Sequence, residues 1–306
     1  MIARRQLLAS ALLPAIAGAA RPEGVLVETH VHLYASDLTR FPIAPGANRP
    51  RPKSVEDYVK FAAEARLDHA VIVHPEPYQD DHSYLEYCLT QGPSKNFFKG
   101  TCLFDPIDPK TPKRLEELVR RNPGRIVALR VHEVRPAGTP PTKGGTIRDR
   151  DLADPQMAVA WRAAHELGLA IQLHCIPHHA PEIGKLAAKF PKMPVLLDHL
   201  ARPGQGTPRE YKEVLRLADL PNVHIKFTGT AFAARPREGQ APPDVQPLAK
   251  KVYGAFGPER LLWGEIGDSM AALEKAAGLF NVAFEFAPER DKARIRGANA
   301  RRLFGF

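Results

Sequence analysis

The chain has 306 residues, enough for one large or two ordinary domains, and its 44% hydrophobic and 25% charged content excludes wholesale disorder. Three cysteines exclude a disulfide-stapled scaffold, and 30 prolines are about twice the usual share. The formal charge of +9, from 43 Lys+Arg against 34 Asp+Glu, suits nucleic acid, an anionic surface or small acidic substrates without choosing among them.

Residues 1–20 read as a twin-arginine-like signal peptide: Arg4 and Arg5 form a basic start, residues 7–16 a short apolar run, and Ala17-Gly18-Ala19 a small-residue end. That run is too short to span a membrane and no later stretch is apolar enough, so we expect a periplasmic or secreted protein with no membrane span. Residues 21–306 are expected to form a single domain. Eight short β-branched or apolar runs follow one another at 25–29, 69–74, 97–104, 126–131, 169–174, 195–199, 223–227 and 261–263. Between them lie helix-like segments at 54–65, 112–121, 155–167, 181–188, 208–218, 245–256 and 269–284, several opening with Pro or Ser as helices do. Strand then helix, eight times over, predicts an α/β fold of the (β/α)8 TIM-barrel type. A doubly wound sheet shares the alternation, but no Gly-rich phosphate turn follows the first strand. The long connections at 33–53, 135–149 and 229–244 follow strands 1, 4 and 7, which places them over the C-terminal mouth where barrel sites are built.

The unusual residues fall at that mouth. His30 and His32 end strand 1 and, at period two, share one side; His174 and His199 close strands 5 and 6. Four imidazoles on three strand ends suit a divalent metal, Zn or Mn, or the polarisation of a carbonyl without metal. Arg130 and His132 share a face of strand 4, and Arg202 follows His199 by three residues. A guanidinium grips a carboxylate through two parallel hydrogen bonds, so these arginines suit a small anionic substrate; the competing expectation is ion pairing with Glu28 or Asp198. Lys226 reads equally as a lysine paired inside the barrel. Tyr34, Tyr78 and His74 lie at strand ends and are candidate pocket residues, with Tyr78 taken as substrate-binding. His178 and His179 lie in the loop after strand 5, while His69, His82, His165 and His224 read as surface or strand-start residues. Cys175 alternates away from His174, which argues against a thiol nucleophile, and there is no Gly-x-Ser-x-Gly elbow. The basic residues are scattered without a nucleic-acid-binding module, so no nucleic-acid partner is expected.

In their order and spacing, His30-Val31-His32-Leu33-Tyr34, His174, Asp198-His199-Leu200-Ala201-Arg202-Pro203, Lys226-Phe227-Thr228-Gly229 and Arg260-Leu261-Leu262-Trp263-Gly264 resemble the amidohydrolase-2 type of TIM-barrel amidohydrolases. The branch they look most similar to is that of the pyrone-dicarboxylate and sugar-lactone hydrolases. The resemblance implies His30, His32 and His174 as metal ligands, or as donors to the scissile carbonyl in members that work without metal, and His199 as a catalytic histidine. It also implies a strand-8 acid in a Gly-Ser-Asp-x-Pro context, and here this chain departs. It reads Trp263-Gly264-Glu265-Ile266-Gly267-Asp268, with Ile266 at the aspartate position. Parity favours Asp268, which shares the face of Ile266 in an unbroken strand; Glu265 needs a bulge or turn to enter, which Gly264 and Gly267 permit. The function expected is opening of a lactone or related cyclic ester of a small carboxylated molecule. The alternatives are a metal-dependent decarboxylase of the same fold and a catalytically degenerate binding protein.

Overall fold

Near-continuous apolar strands have two faces to bury, and side-by-side parallel pairing under a coat of amphipathic helices buries both. The computed structural model describes residues 24–233 and 245–306. Its strands are β1 Val27–Val31, β2 His69–Val73, β3 Phe98–Leu103, β4 Ile126–Glu133, β5 Ala170–Cys175, β6 Val195–Leu197, β7 Val223–Phe227 and β8 Leu261–Trp263. Seven parallel pairings link them in chain order, and β8 returns to β1 in a nearly closed barrel. This is the (β/α)8 architecture the alternation predicts.

The helices are α1 Val55–Glu64, α2 Ser83–Thr90, α3 Thr111–Arg121, α4 Pro155–Glu166, α5 Ala180–Lys189, α6 Pro208–Arg216, α7 Thr230–Ala233, α8 Val245–Phe256, α9 Met270–Ala283, α10 Glu289–Ala293 and α11 Asn299–Phe304. Their starts are chemically marked. Ser54 and Asp154 accept from Asp57 N and Gln156 N at the heads of α1 and α4, and Thr207 with Glu210 forms a capping box ahead of Pro208 on α6. At the bottom of the barrel, Ala300 and Phe304 of α11 pack on Val27, Val71, Ala128, Ala170, Leu196 and Leu262, one residue from each of six strands. That plug leaves the opposite, C-terminal end for the site.

Strand boundaries shift where the site begins. β4 runs on to Glu133 and carries His132 with it, whereas β6 stops at Leu197 rather than His199 because the next residues leave extended geometry. His82, expected at the surface, is buried, and its Nε2 accepts from Leu103 N at 3.1 Å. The three cysteines are buried and free. The expected signal peptide at 1–20 and most of the 229–244 loop lie outside the described residues. Among the described residues, no helix is long and apolar enough to cross a membrane.

Candidate active site

The histidines expected at the mouth form one chain of rings. His30 lies 5.0 Å from His32 and 4.6 Å from His199, centroid to centroid; His174 lies 5.3 Å from His199 and 5.1 Å from His132. Two have Nδ1 in a hydrogen bond: His32 donates to Val73 O at 2.7 Å, and His199 is hydrogen-bonded to Thr228 Oγ1 at 2.8 Å. His30 Nδ1 lies 3.4 Å from Asp198 Oδ1, and His132 Nδ1 lies 3.5 Å from Glu76 Oε2. An imidazole held through Nδ1–H offers the lone pair of Nε2. Nε2 of His132 and both ring nitrogens of His30 and His174 are buried without a hydrogen-bond partner. Burial pushes the pKa values of His30, His32 and His174 well below the usual histidine range. His199 is also lowered by burial, against the opposing pull of Glu265 and Asp198. The cluster is therefore neutral at pH 7, the state in which imidazole binds a metal.

Asp198 is the hub beneath these rings. Fully buried, it accepts from Gln172 Nε2 at 2.9 Å and has Lys226 Nζ at 3.4 Å and Arg130 Nη2 at 3.6 Å. Burial alone would raise its pKa, but Lys226, His30 and Arg130 together hold it well below the usual carboxylate range. Arg130 thus takes up the ion pairing weighed for it, yet its Nε stays buried and unpartnered, as does Nε of Arg202. Asp198, His30 and His199 bring ligand atoms within 4.8 Å of one another. These converging atoms and the orphaned imidazole nitrogens fit a divalent metal. The tightest trio differs from the expected His30, His32 and His174 by drawing on the Asp198-His199 pair.

His199 is delivered by an uncommon backbone. His199, Leu200, Ala201 and Arg202 all have positive φ, at 54°, 52°, 55° and 50°, a single left-handed turn closed by Arg202 N donating to His199 O at 2.8 Å. Each non-glycine residue there costs roughly 1–2 kcal/mol relative to right-handed geometry. The turn sets His199 and Arg202 at the same mouth.

The strand-8 acid is placed differently from the parity expectation. β8 ends at Trp263, and at Gly264 a Cβ would stand 2.7 Å from Thr29 Oγ1 and 3.0 Å from His30 Cβ, so only glycine lets β8 approach β1 this closely. Glu265 then adopts φ 56°, which breaks the extended alternation and swings its side chain inward. Its Oε1 lies 3.5 Å from His199 Nδ1, and its Oε2 accepts from Thr230 N at 2.9 Å. Burial raises the Glu265 pKa, but His199, His30 and Thr230 outweigh it and the carboxyl sits below its usual range. Asp268 is 43% exposed and pairs with Lys53, so Glu265, not Asp268, joins the histidines.

Tyr78 is buried and its hydroxyl accepts from Ala35 N at 2.8 Å, which braces the chain leaving β1. Tyr34, with its ring 6.4 Å from that of His32, stands nearer the cluster. Glu76, just after β2, was not foreseen; it contacts His132 and has Arg148 Nη1 at 3.4 Å. His179 is held by Arg135 O and Glu133, and His178 by Glu210, each at 2.9–3.1 Å.

An eight-stranded parallel barrel with histidines, a carboxylate and guanidinium groups at its C-terminal mouth defines a (β/α)8 barrel protein with its candidate site where barrel sites are built. The model of the amidohydrolase family matches residues 27–306, and the chain belongs to that family. A curated relative, the L-fucono-1,5-lactonase of Burkholderia ambifaria, is 31% identical over 119 residues; the match spans 37% of this chain and 39% of that protein. Among solved structures, a probable 2-pyrone-4,6-dicarboxylic acid hydrolase from Acinetobacter baumannii with citric acid bound has a TM-score of 0.69 at 20% identity, covering 92% of this chain and 99% of its own. An amidohydrolase from Burkholderia multivorans with bound zinc has a TM-score of 0.68 at 17% identity, covering 92% and 100%.

Proposed function

We propose that this protein acts after export to the periplasm and opens a lactone of a small carboxylated or sugar-derived acid. The observation that carries this reading is the Glu265 carboxylate set 3.5 Å from His199 inside a ring of neutral imidazoles. Glu265, in contact with His199, accepts a proton from water as that water attacks the lactone carbonyl carbon. The ring C–O bond then breaks, and the departing alkoxide takes the proton back from the acid, giving a hydroxy acid. Arg130 and Arg202, each with a buried unpartnered Nε, hold the substrate carboxylate. His30 with Asp198 and His199, flanked by His32 and His174, would hold a divalent ion, Zn or Mn, whose part is to polarise the scissile carbonyl. The lactonase relative and the citrate-bound neighbour, both named for small carboxylated or sugar-derived substrates, support this class of substrate.

The test is acid release in a pH-stat from L-fucono-1,5-lactone and from 2-pyrone-4,6-dicarboxylate, alongside metal analysis of the wild type and His30→Ala purified without added metal. Acid release, with Zn or Mn that falls in the variant, supports the reading. Carbon dioxide release from aromatic carboxylates with no lactone opening assigns decarboxylation instead. No metal and no turnover of either class leaves a binding protein.

A further inference from the structure

Glu28, in β1, is completely buried, and its hydrogen bonds all come from backbone. Its Oε1 accepts from His30 N at 2.6 Å and Glu265 N at 2.9 Å, and its Oε2 accepts from Ile266 N at 2.7 Å. Two of those donors belong to the far side of the barrel seam. β8 ends at Trp263, and the positive φ of Glu265 turns the chain out of strand geometry. Ile266 is buried, so without an acceptor its N–H would lose about 1–3 kcal/mol of hydrogen bonding. The seam has other ties at the same level: Thr29 Oγ1 donates to Trp263 O at 2.7 Å, and Lys226 Nζ donates to Thr29 O at 2.9 Å. Those ties fix strand against strand. Among the described residues, only the Glu28 carboxylate reaches past β8 to the two peptides that aim Glu265.

We infer that Glu28 is a positioning residue: it clamps the 265–266 backbone to β1 so that the Glu265 carboxylate is held against His199. A carboxylate is suited to this because both its oxygens accept. Glutamine at 28 keeps the length but turns one acceptor into an NH2 group, which must face one of the three backbone N–H donors. The inference rests on the reading of Glu265 as proton acceptor, and the test separates the two. In Glu28→Gln, kcat for lactone opening should fall about 10- to 100-fold with KM within about 2-fold, the size of loss expected when a support for a reacting group is removed. Glu28→Asp, which keeps the charge on a shorter arm, should fall between wild type and Glu28→Gln. Added to Glu265→Gln, the Glu28→Gln change should cost less than about 2-fold more, since its effect runs through Glu265. Losses that multiply in the double variant overturn the inference.

A second measurement is independent of turnover: crystal structures of Glu28→Gln and Glu28→Asp. Displacement of the Glu265 carboxylate from His199 in the glutamine variant supports the inference, and an unchanged contact overturns it. If Glu28→Gln does not fold, Glu28→Asp decides by the same contact. A wild type that opens neither lactone defeats the functional reading and leaves the positioning role to be judged by the structures.

Discussion

Lys53 Nζ holds Asp268 Oδ2 at 2.8 Å on the rim of the barrel, with the two side chains 31% and 43% exposed. The pairing keeps the shorter acid away from the histidines, and an exposed pair of this kind is worth only about 0–1 kcal/mol. Asp268→Asn should therefore leave kcat within about 2-fold of wild type. Glu265→Gln removes the carboxylate beside His199 and should lower kcat about 10²- to 10⁴-fold, the range for loss of a general base. Initial rates of lactone opening on the two variants decide; a severe loss in Asp268→Asn with a mild one in Glu265→Gln would return the role to the rim.

What the sequence made legible is what is local. His30 and His32 are two apart on one strand, and His174 and His199 end their own apolar runs, so period two and strand order were enough to gather them. Asp198 was harder to see as a hub because its partners come from other strands: the register Leu197↔Ile225 sets Asp198 beside Lys226, a fact of pairing and not of spacing. Glu265 and Asp268 were both legible as candidates, but parity ranked Asp268 first because it assumes an extended chain, and a glutamate at φ 56° is an exception that no propensity signals. The hydrogen bond that Tyr78 accepts from Ala35 N was not legible either, since a tyrosine at a strand end serves a pocket or a backbone N–H equally well until the loop is seen.

The left-handed turn after β6 gives a test that needs no substrate. Ala201 has φ 55° and is 2% exposed. Glycine there relieves roughly 1–2 kcal/mol of left-handed strain, offset by a lost buried methyl and a more flexible unfolded chain. Ala201→Gly should be neutral or slightly stabilising in urea unfolding. Ala187→Gly, at an equally buried alanine inside α5, has only the losses and should cost about 1 kcal/mol or more. Equal destabilisation of both variants would mean that the turn is not strained.

Acid should destabilise this fold well above the carboxylate range. Away from the histidines of the mouth, burial lowers His82 to about 3 and His224 to about 4, and His74, whose Nε2 donates to Gln79 O at 2.9 Å, lies well below its usual value. Unfolded histidine titrates near 6.5, so between that value and the folded ones the unfolded chain binds the extra protons, and stability falls as pH falls. Each such group contributes about 1.4 kcal/mol per pH unit inside its window. Glu28, raised to about 7 mainly by burial, acts in the opposite sense between about 4.5 and 7, one proton against several. Urea midpoints measured from pH 8 to pH 5 should hold until about 6.5 and then decline, and His82→Gln should flatten that decline. A midpoint constant down to pH 5 would contradict the buried neutral histidines.

Lys226 is fully buried inside the barrel. Its ammonium donates to Thr29 O at 2.9 Å and stands 3.4 Å from Asp198 Oδ1, and burial lowers its pKa against the pull of that aspartate. Removing one partner of a buried pair typically costs about 3–5 kcal/mol, because the other charge is left uncompensated. Lys226→Met leaves Asp198 only Arg130, His30 and Gln172, so its carboxyl should shift toward protonation and the fold should lose stability in that range. Asp198→Asn leaves the Lys226 ammonium buried without its carboxylate and should also be costly. Combining them removes both charges, so the double variant should be clearly more stable than the sum of the two losses predicts. Urea unfolding of the wild type and the three variants measures that coupling, and strict additivity would mean that Lys226 and Asp198 do not act as a pair.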